Sequence, residues 1–302
     1  MLPTLVATAL TLLPSGDDPH RTPLDRALGG AIEDAQDDLM ATRPAYRDHS
    51  TWEDPWVVES NHYVVRTVHS RHLGVDIGRS LDLALGWFQE FLGTDWTPSE
   101  KLHVHIYPTL AAFNQLGQDI NADEHSSFYG AYYASQHADR PLAVMYHGNR
   151  TFLKMQATHA ALHQFVAGAF NQAPPYWVSE GLASYFAHYW NYAYLRSEHR
   201  RLADGDRFVP LRTLTRADAA AFLENPHDML MELAALFNYL LHRRPDTMEV
   251  KDEDGELIQA PFRDLLRGAV RGRNLVLDPT YLSLVGRLPQ IEADFRAYVF
   301  PE

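Results

Sequence analysis

From residue 151 to the end of the chain the apolar residues recur at helical spacing, and no alternating stretch interrupts them. Upstream, over 60–148, the pattern is mixed. Residues 62–68 are rich in β-formers. Leu102, Val104 and Ile106 alternate with His103, His105 and Tyr107, as on a strand with two distinct faces. Residues 128–134 and 141–147 read as two further strands. Between the first two strands, Ile77, Leu81, Leu85, Phe88 and Phe91 or Leu92 mark an amphipathic helix over 75–92. One change of period therefore predicts an α+β fold, with a small N-terminal mixed sheet and its helices followed by a mainly helical C-terminal lobe.

The finer divisions follow from punctuation. Residues 1–22 form a signal or linker segment, 23–150 an N-terminal helix and β-rich lobe, and 151–302 a helical lobe. Helices are predicted over 23–41, 109–118, 151–170, 175–203, 215–224, 227–243, 260–270 and 288–299. Thr215-x-x-Asp218 serves as a capping box for the 215–224 helix. Residues 42–60 read as loop, and 249–257 as an exposed charged turn or hairpin.

Composition removes several chemistries. The 302 residues contain no cysteine, which excludes disulfides, thiol catalysis, iron–sulfur clusters and Cys-based zinc sites. A formal charge of −13 argues against a general nucleic-acid or anionic-membrane binder. Residues 2–13 resemble the apolar region of an export signal, although no Lys or Arg precedes them; a packed N-terminus is the other reading. No later segment is apolar for 18 uncharged residues, so no transmembrane span is expected. There is no G-x-S-x-G, no P-loop and no G-x-G-x-x-G.

Histidine is abundant, at 16 residues. His159 and His163 lie four apart, so a helix over 151–170 sets both rings on one face. At this histidine content about 0.8 such pairs arise by chance, so the spacing alone decides nothing. The context does more. Pro174-Pro175 follows the first helix and suits the start of a second. His163 stands ~10 Å before that turn and Glu180 ~8 Å beyond it, at 1.5 Å per residue. In an antiparallel pair the carboxylate stands level with the two imidazoles. Two histidines and a carboxylate with an open fourth position form a catalytic-type zinc set.

The run Thr158-His159-Ala160-Ala161-Leu162-His163-Gln164, followed by Pro175-Tyr176-Trp177-Val178-Ser179-Glu180-Gly181-Leu182-Ala183, resembles the gluzincin (peptidase MA-like) zinc metallopeptidases, and among them a bacterial branch. The second block is the more specific, and the likeness in pattern extends over about 60–299. The resemblance implies a zincin-like fold, a Zn²⁺ ion on His159, His163 and Glu180, and a peptide or protein as substrate or ligand. Gly130, Ala131 and Tyr132, with Tyr133, match the edge strand along which such enzymes align an extended peptide. Ser184, one turn after Glu180, is a candidate for orienting a ligand, or an ordinary helix-packing residue.

One departure is decisive. The family's H-E-x-x-H reads His159-Ala160-x-x-His163, and the methyl of Ala160 cannot accept the proton that the family's Glu takes from the attacking water. A positioned acid–base group contributes roughly 10²–10⁴-fold. The family's Tyr near the start of the 227–243 helix aligns with Met229 and Leu230, and Tyr239 lies further along. Three functions remain: a degenerate zinc peptidase with impaired hydrolysis that binds peptides; an active zinc hydrolase with its base elsewhere, for example Glu124; and a metal-free structural or interaction protein. Retention of all three ligands argues against the last. His103 and His105 read as structural or exposed. His69 and His72 read as exposed.

Overall fold

The computed structural model describes residues 49, 51–109, 111–113, 131–132, 142–145, 148–171, 174–204, 207–242 and 261–299. All lie in the unit 49–302. The expected segment 1–22, the 23–41 helix and the charged turn over 249–257 fall outside the described residues.

The fold is α+β, with one small mixed sheet and a mostly helical remainder. Among the described residues the sheet has five strands: β1 (Trp56–Glu59), β2 (Tyr63–Thr67), β3 (Leu102–Tyr107), β4 (Ala131–Tyr132) and β5 (Leu142–Met145), in the order β1-β2-β3-β5-β4. The β2–β3 and β3–β5 pairs are parallel, and the outer pairs β1–β2 and β4–β5 are antiparallel. Alternation does what the sequence implies. Tyr63, Val65 and Thr67 face inward from β2, and Leu102, Val104 and Ile106 from β3. β1 corrects the expected 42–60 loop. It carries a single buried residue, Val58, among three more exposed neighbours, so it shows no two-faced pattern to read. Its turn into β2 is held by Asp82, which accepts from the backbone N–H groups of Asn61 and His62 at 2.9 Å each.

Helix α1 (Arg71–Leu92) connects β2 to β3 and lies on the sheet. It starts before the expected residue 75, because the Ser70 side chain caps it by accepting from Leu73 N–H at 3.0 Å. Gly74 lets it approach closely, since a Cβ there would stand 2.8 Å from Val58 Cγ2. Of the expected 109–118 helix, residues 109 and 111–113 are described; 109 is a bend and 111–113 are helical.

The helical lobe comprises α2 (Arg150–Phe170), α3 (Tyr176–Ala187), α4 (Tyr192–Asp204), α5 (Leu211–Leu214), α6 (Ala219–Glu224), α7 (Pro226–His242), α8 (Pro261–Val270), α9 (Pro279–Gly286) and α10 (Leu288–Val299). The expected single helix over 175–203 is two. A 3-10 turn at His188–Trp190 separates them, and the Asn191 side chain opens α4 by accepting from Tyr194 N–H at 3.0 Å. Trp190 is tied instead to α2, its Nε1–H donating to Thr158 Oγ1 at 2.8 Å. The capping box at Thr215 is also corrected. Thr215 Oγ1 donates back to Leu211 O, and Asp218 is itself the N-cap of α6, accepting from Ala221 N–H. α5, α9 and the 3-10 turn Leu275–Leu277 were not expected from the sequence.

Helix α3 is the centre of the lobe, packed between α2 and α7. On the α7 side the fit depends on Gly181, where a Cβ would meet the Phe237 ring at 2.4 Å. One continuous apolar core runs from Val65 and Ile106 in the sheet through Phe165 and Phe186 to Phe237 and Phe295. Arg267 of α8 and Arg271, just after it, join the layers. Arg267 donates to Phe91 O and Arg271 to Leu92 O, each at 2.7 Å, which satisfies carbonyls at the C-terminus of α1. Among the described residues no helix is long and apolar enough to cross a membrane.

Candidate metal centre

The centre is built by the α2–α3 hairpin. Asn149 caps α2 by accepting from Phe152 N–H at 3.0 Å. The helix ends at Asn171, in the left-handed conformation (φ 49°), whose N–H bonds to Ala167 O. α3 then starts directly after Pro175, whose carbonyl accepts from Val178 and Ser179. The chain reverses within a few residues, so Glu180 comes level with the histidine pair.

The three side chains meet. His159 Nε2 and His163 Nε2 are 3.3 Å apart. Glu180 Oε2 lies 3.3 Å from His159 Nε2, and Oε1 lies 3.5 Å from His163 Nε2. His159 and Glu180 are 3% and 5% exposed, and His163 is half-buried. This is the only group of three or more His, Asp or Glu donors suited to a metal among the described residues. The spacing is informative. Ligands at 2.0–2.1 Å from a tetrahedral zinc stand about 3.3–3.4 Å from one another, the edge of the tetrahedron. Protons alone serve the triangle poorly, because two nitrogens this close share at most one, whereas a cation faces all three lone pairs at once.

The electrostatics favour donation. Burial lowers the His163 pKa to about 4, against the opposing attraction of Glu180, so the ring is neutral at neutral pH. Burial alone would raise Glu180, but His163 and His159 together hold its carboxyl below the ordinary carboxylate range. A neutral imidazole and an ionised carboxylate are the forms that bind a metal.

The surroundings divide. Ser179 Oγ lies 3.0 Å from His163 Nδ1, so it fixes that ring with Nε2 toward the triangle. Sequence reasoning missed it, although it is the residue just before Glu180. Ser184, the candidate chosen for that task, has its Oγ buried with no hydrogen-bond partner among the described residues. It sits one turn beyond Glu180, too deep in the hairpin. Gln156, one turn before His159 and Ala160, is likewise buried with both amide atoms unpartnered among the described residues. Ala160 is 1% exposed and brings only its methyl.

Of the expected peptide strand, Ala131 and Tyr132 form β4, which pairs with β5 on one side and stands at the edge of the sheet beside α2. Gly130, Tyr133 and Glu124 lie outside the described residues. Met229 and Leu230 are buried apolar residues of α7, and Tyr239 packs in the core against Phe295 at 5.6 Å. His103 and His105 take no part. His105 lies against Trp52, and burial, with Arg66 and His103, lowers its pKa to about 4. His69 is exposed, while His72 is half-buried rather than exposed.

Tyr176, also missed, stands one turn before Glu180. Burial and then the Glu180 charge raise its phenol pKa well above the ordinary value. The chain matches no family model, no curated protein and no solved structure, so the reading of this centre rests on its own residues.

Proposed function

We propose that the chain is a gluzincin-like zinc protein, holding Zn²⁺ on His159, His163 and Glu180, with peptide hydrolysis impaired by Ala160. The observation that carries the proposal is the triangle of donor atoms at 3.3–3.5 Å. The order of elements supports a zincin-like fold: a mixed sheet with an antiparallel edge strand, then the helix bearing both histidines, then the helix bearing the glutamate.

When bound, zinc polarises a carbonyl and lowers the pKa of its water to about 7. The chain's residues do the rest. Glu180 supplies one negative charge inside a buried site. Ser179 holds the His163 ring in place. Ala160 accepts no proton, and the loss of that acceptor costs roughly 10²–10⁴-fold in rate. The edge of β4 that pairs with no strand among the described residues offers backbone groups to an extended peptide, so binding survives where hydrolysis does not.

The test is zinc per chain, measured on purified protein beside a His159→Ala control. About one zinc in the parent and none in the control supports the proposal; none in either, after incubation with zinc, overturns it. In the zinc-loaded protein, Ala160→Glu is expected to raise peptide hydrolysis above that of the parent.

A further inference from the structure

One stretch of the helical lobe carries a charge opposite to that of the whole. Residues 261–287 hold five arginines and two aspartates, on a chain whose formal charge is −13. The same stretch exposes apolar side chains. Val276, Leu277 and Leu282 are 67%, 74% and 55% exposed, and they are half of the large exposed apolar residues among the described residues. Scattered singly, such residues need no explanation; three together on one 3-10 turn and the helix after it mark an interaction surface. Beside them lies an open groove of about 470 Å³. Buried Trp177 and Leu275 line it, with half-buried Tyr176 and Tyr281, and Tyr281 stacks on Trp177 at 6.4 Å between centroids. Two exposed cations, Arg216 and Arg273, line it as well, and no Asp or Glu does among the described residues. Arg273 donates to Asp278 Oδ2 at 2.9 Å, while Asp278 Oδ1 is engaged by the N–H groups of Thr280 and Tyr281. Arg216 has no ion pair among the described residues. None of His159, His163 and Glu180 lines the groove, so it is a site apart from the metal centre.

We infer that this groove is a docking surface for an acidic segment of a partner protein: a large apolar side chain of the partner packs against the aromatic lining and Val276, and carboxylates flanking it face Arg216 and Arg273. The inference does not depend on the zinc reading above. Charge complementarity selects the partner, because the groove offers cations without acids on a chain that is otherwise strongly acidic. An anionic membrane would also meet arginines and exposed leucines here. Two features favour a protein segment. The apolar patch borders a concavity that a flat bilayer does not fill, and the −13 charge of the chain repels an extended anionic surface.

The test titrates the full chain with three fluorescein-labelled peptides, read by fluorescence anisotropy. The first has one phenylalanine between runs of glutamate, the second has glycine in place of the phenylalanine, and the third has lysine in place of the glutamates. The parent is expected to bind the first about tenfold more tightly than either of the others, the size of one buried aromatic ring and of a matched rim charge. That affinity should fall as salt rises. Val276→Asp and Arg216→Glu should each weaken the first peptide about tenfold, and Arg216→Glu should also narrow its lead over the lysine peptide. Both residues are exposed, so urea midpoints should match the parent. Equal affinity of the parent for the three peptides, or unchanged affinity in both variants, overturns the proposal. Treatment with EDTA should leave binding intact; its loss would place the peptide at the metal centre and overturn the groove. Sedimentation of the parent with phosphatidylserine vesicles, lost in Val276→Asp, would overturn the protein partner in favour of a membrane.

Discussion

Glu180 on α3 and Glu232 on α7 are buried glutamates on neighbouring helices, 5% and 1% exposed, and their carboxyl groups move in opposite directions. Beside two imidazoles, Glu180 is held below the ordinary carboxylate range despite its burial. Glu232 accepts one bond, from Val209 N–H at 2.8 Å, and its other oxygen has no partner among the described residues. Burial therefore raises Glu232 to about 8; Val209 and Arg296 oppose the rise, and Glu292 and Asp228 add to it. Burial is common to both, so the partners decide. A charge is kept where donors for a cation converge, and is given up where the carboxyl only straps a loop.

Four substitutions test that contrast. The largest effect is expected from Glu180→Ala, which should abolish stoichiometric zinc binding while leaving cooperative unfolding, measured by metal analysis and urea denaturation. Glu232→Gln comes next. The folded pKa lies above the ordinary 4.5, so the stability contributed by the neutral form is complete below pH 4.5 and is lost as pH rises through about 8. The parent should therefore lose up to about 1.4 kcal/mol per pH unit across that window relative to the variant, and match its pH dependence below it. Urea midpoints at pH 4 and pH 8 check this; equal slopes in the two proteins would show that Glu232 is not neutral in the fold.

Gly181→Ala tests the seam that joins the two glutamates' helices. Its Cβ would meet Phe237 at 2.4 Å, so a loss of about 1–3 kcal/mol is expected by thermal or urea unfolding. The smallest effect is Ser179→Ala, with zinc affinity lowered about 10–100-fold, or about 1.4–2.7 kcal/mol. Competition with a chelator reads it, and unchanged affinity would leave Ser179 as a packing residue.

The parts of the molecule legible in the sequence are those set by local period. β2, β3, α2 and α7 show strict two-residue or 3.6-residue patterns, and their bounds fall within a residue or two of those expected. The donor triangle was legible because it depends only on an i, i+4 pair, a proline turn and a helical rise. β1 was not, because a sheet-edge strand with one buried residue has no period. The break after Ala187 was hidden because a tertiary bond helps to set it: Trp190 turns away to Thr158, while His188 Nδ1 bonds locally to Ser184 O at 2.6 Å. The exchange of Ser184 for Ser179 has the same origin. Both stand on α3 near Glu180, and only the depth of the α2–α3 contact decides which serine meets an imidazole.

That hairpin also bears on the order of assembly. All three donors belong to two consecutive helices joined by a short turn, so bringing them together closes little chain and costs little loop entropy. The sheet is different: β2 must find β3 across all of α1, and β3 must find β5 across the residues between 107 and 142. Contacts this distant in sequence form slowly. The centre can therefore exist before the sheet does, and an ion captured early would act as a template on which the rest of the chain condenses.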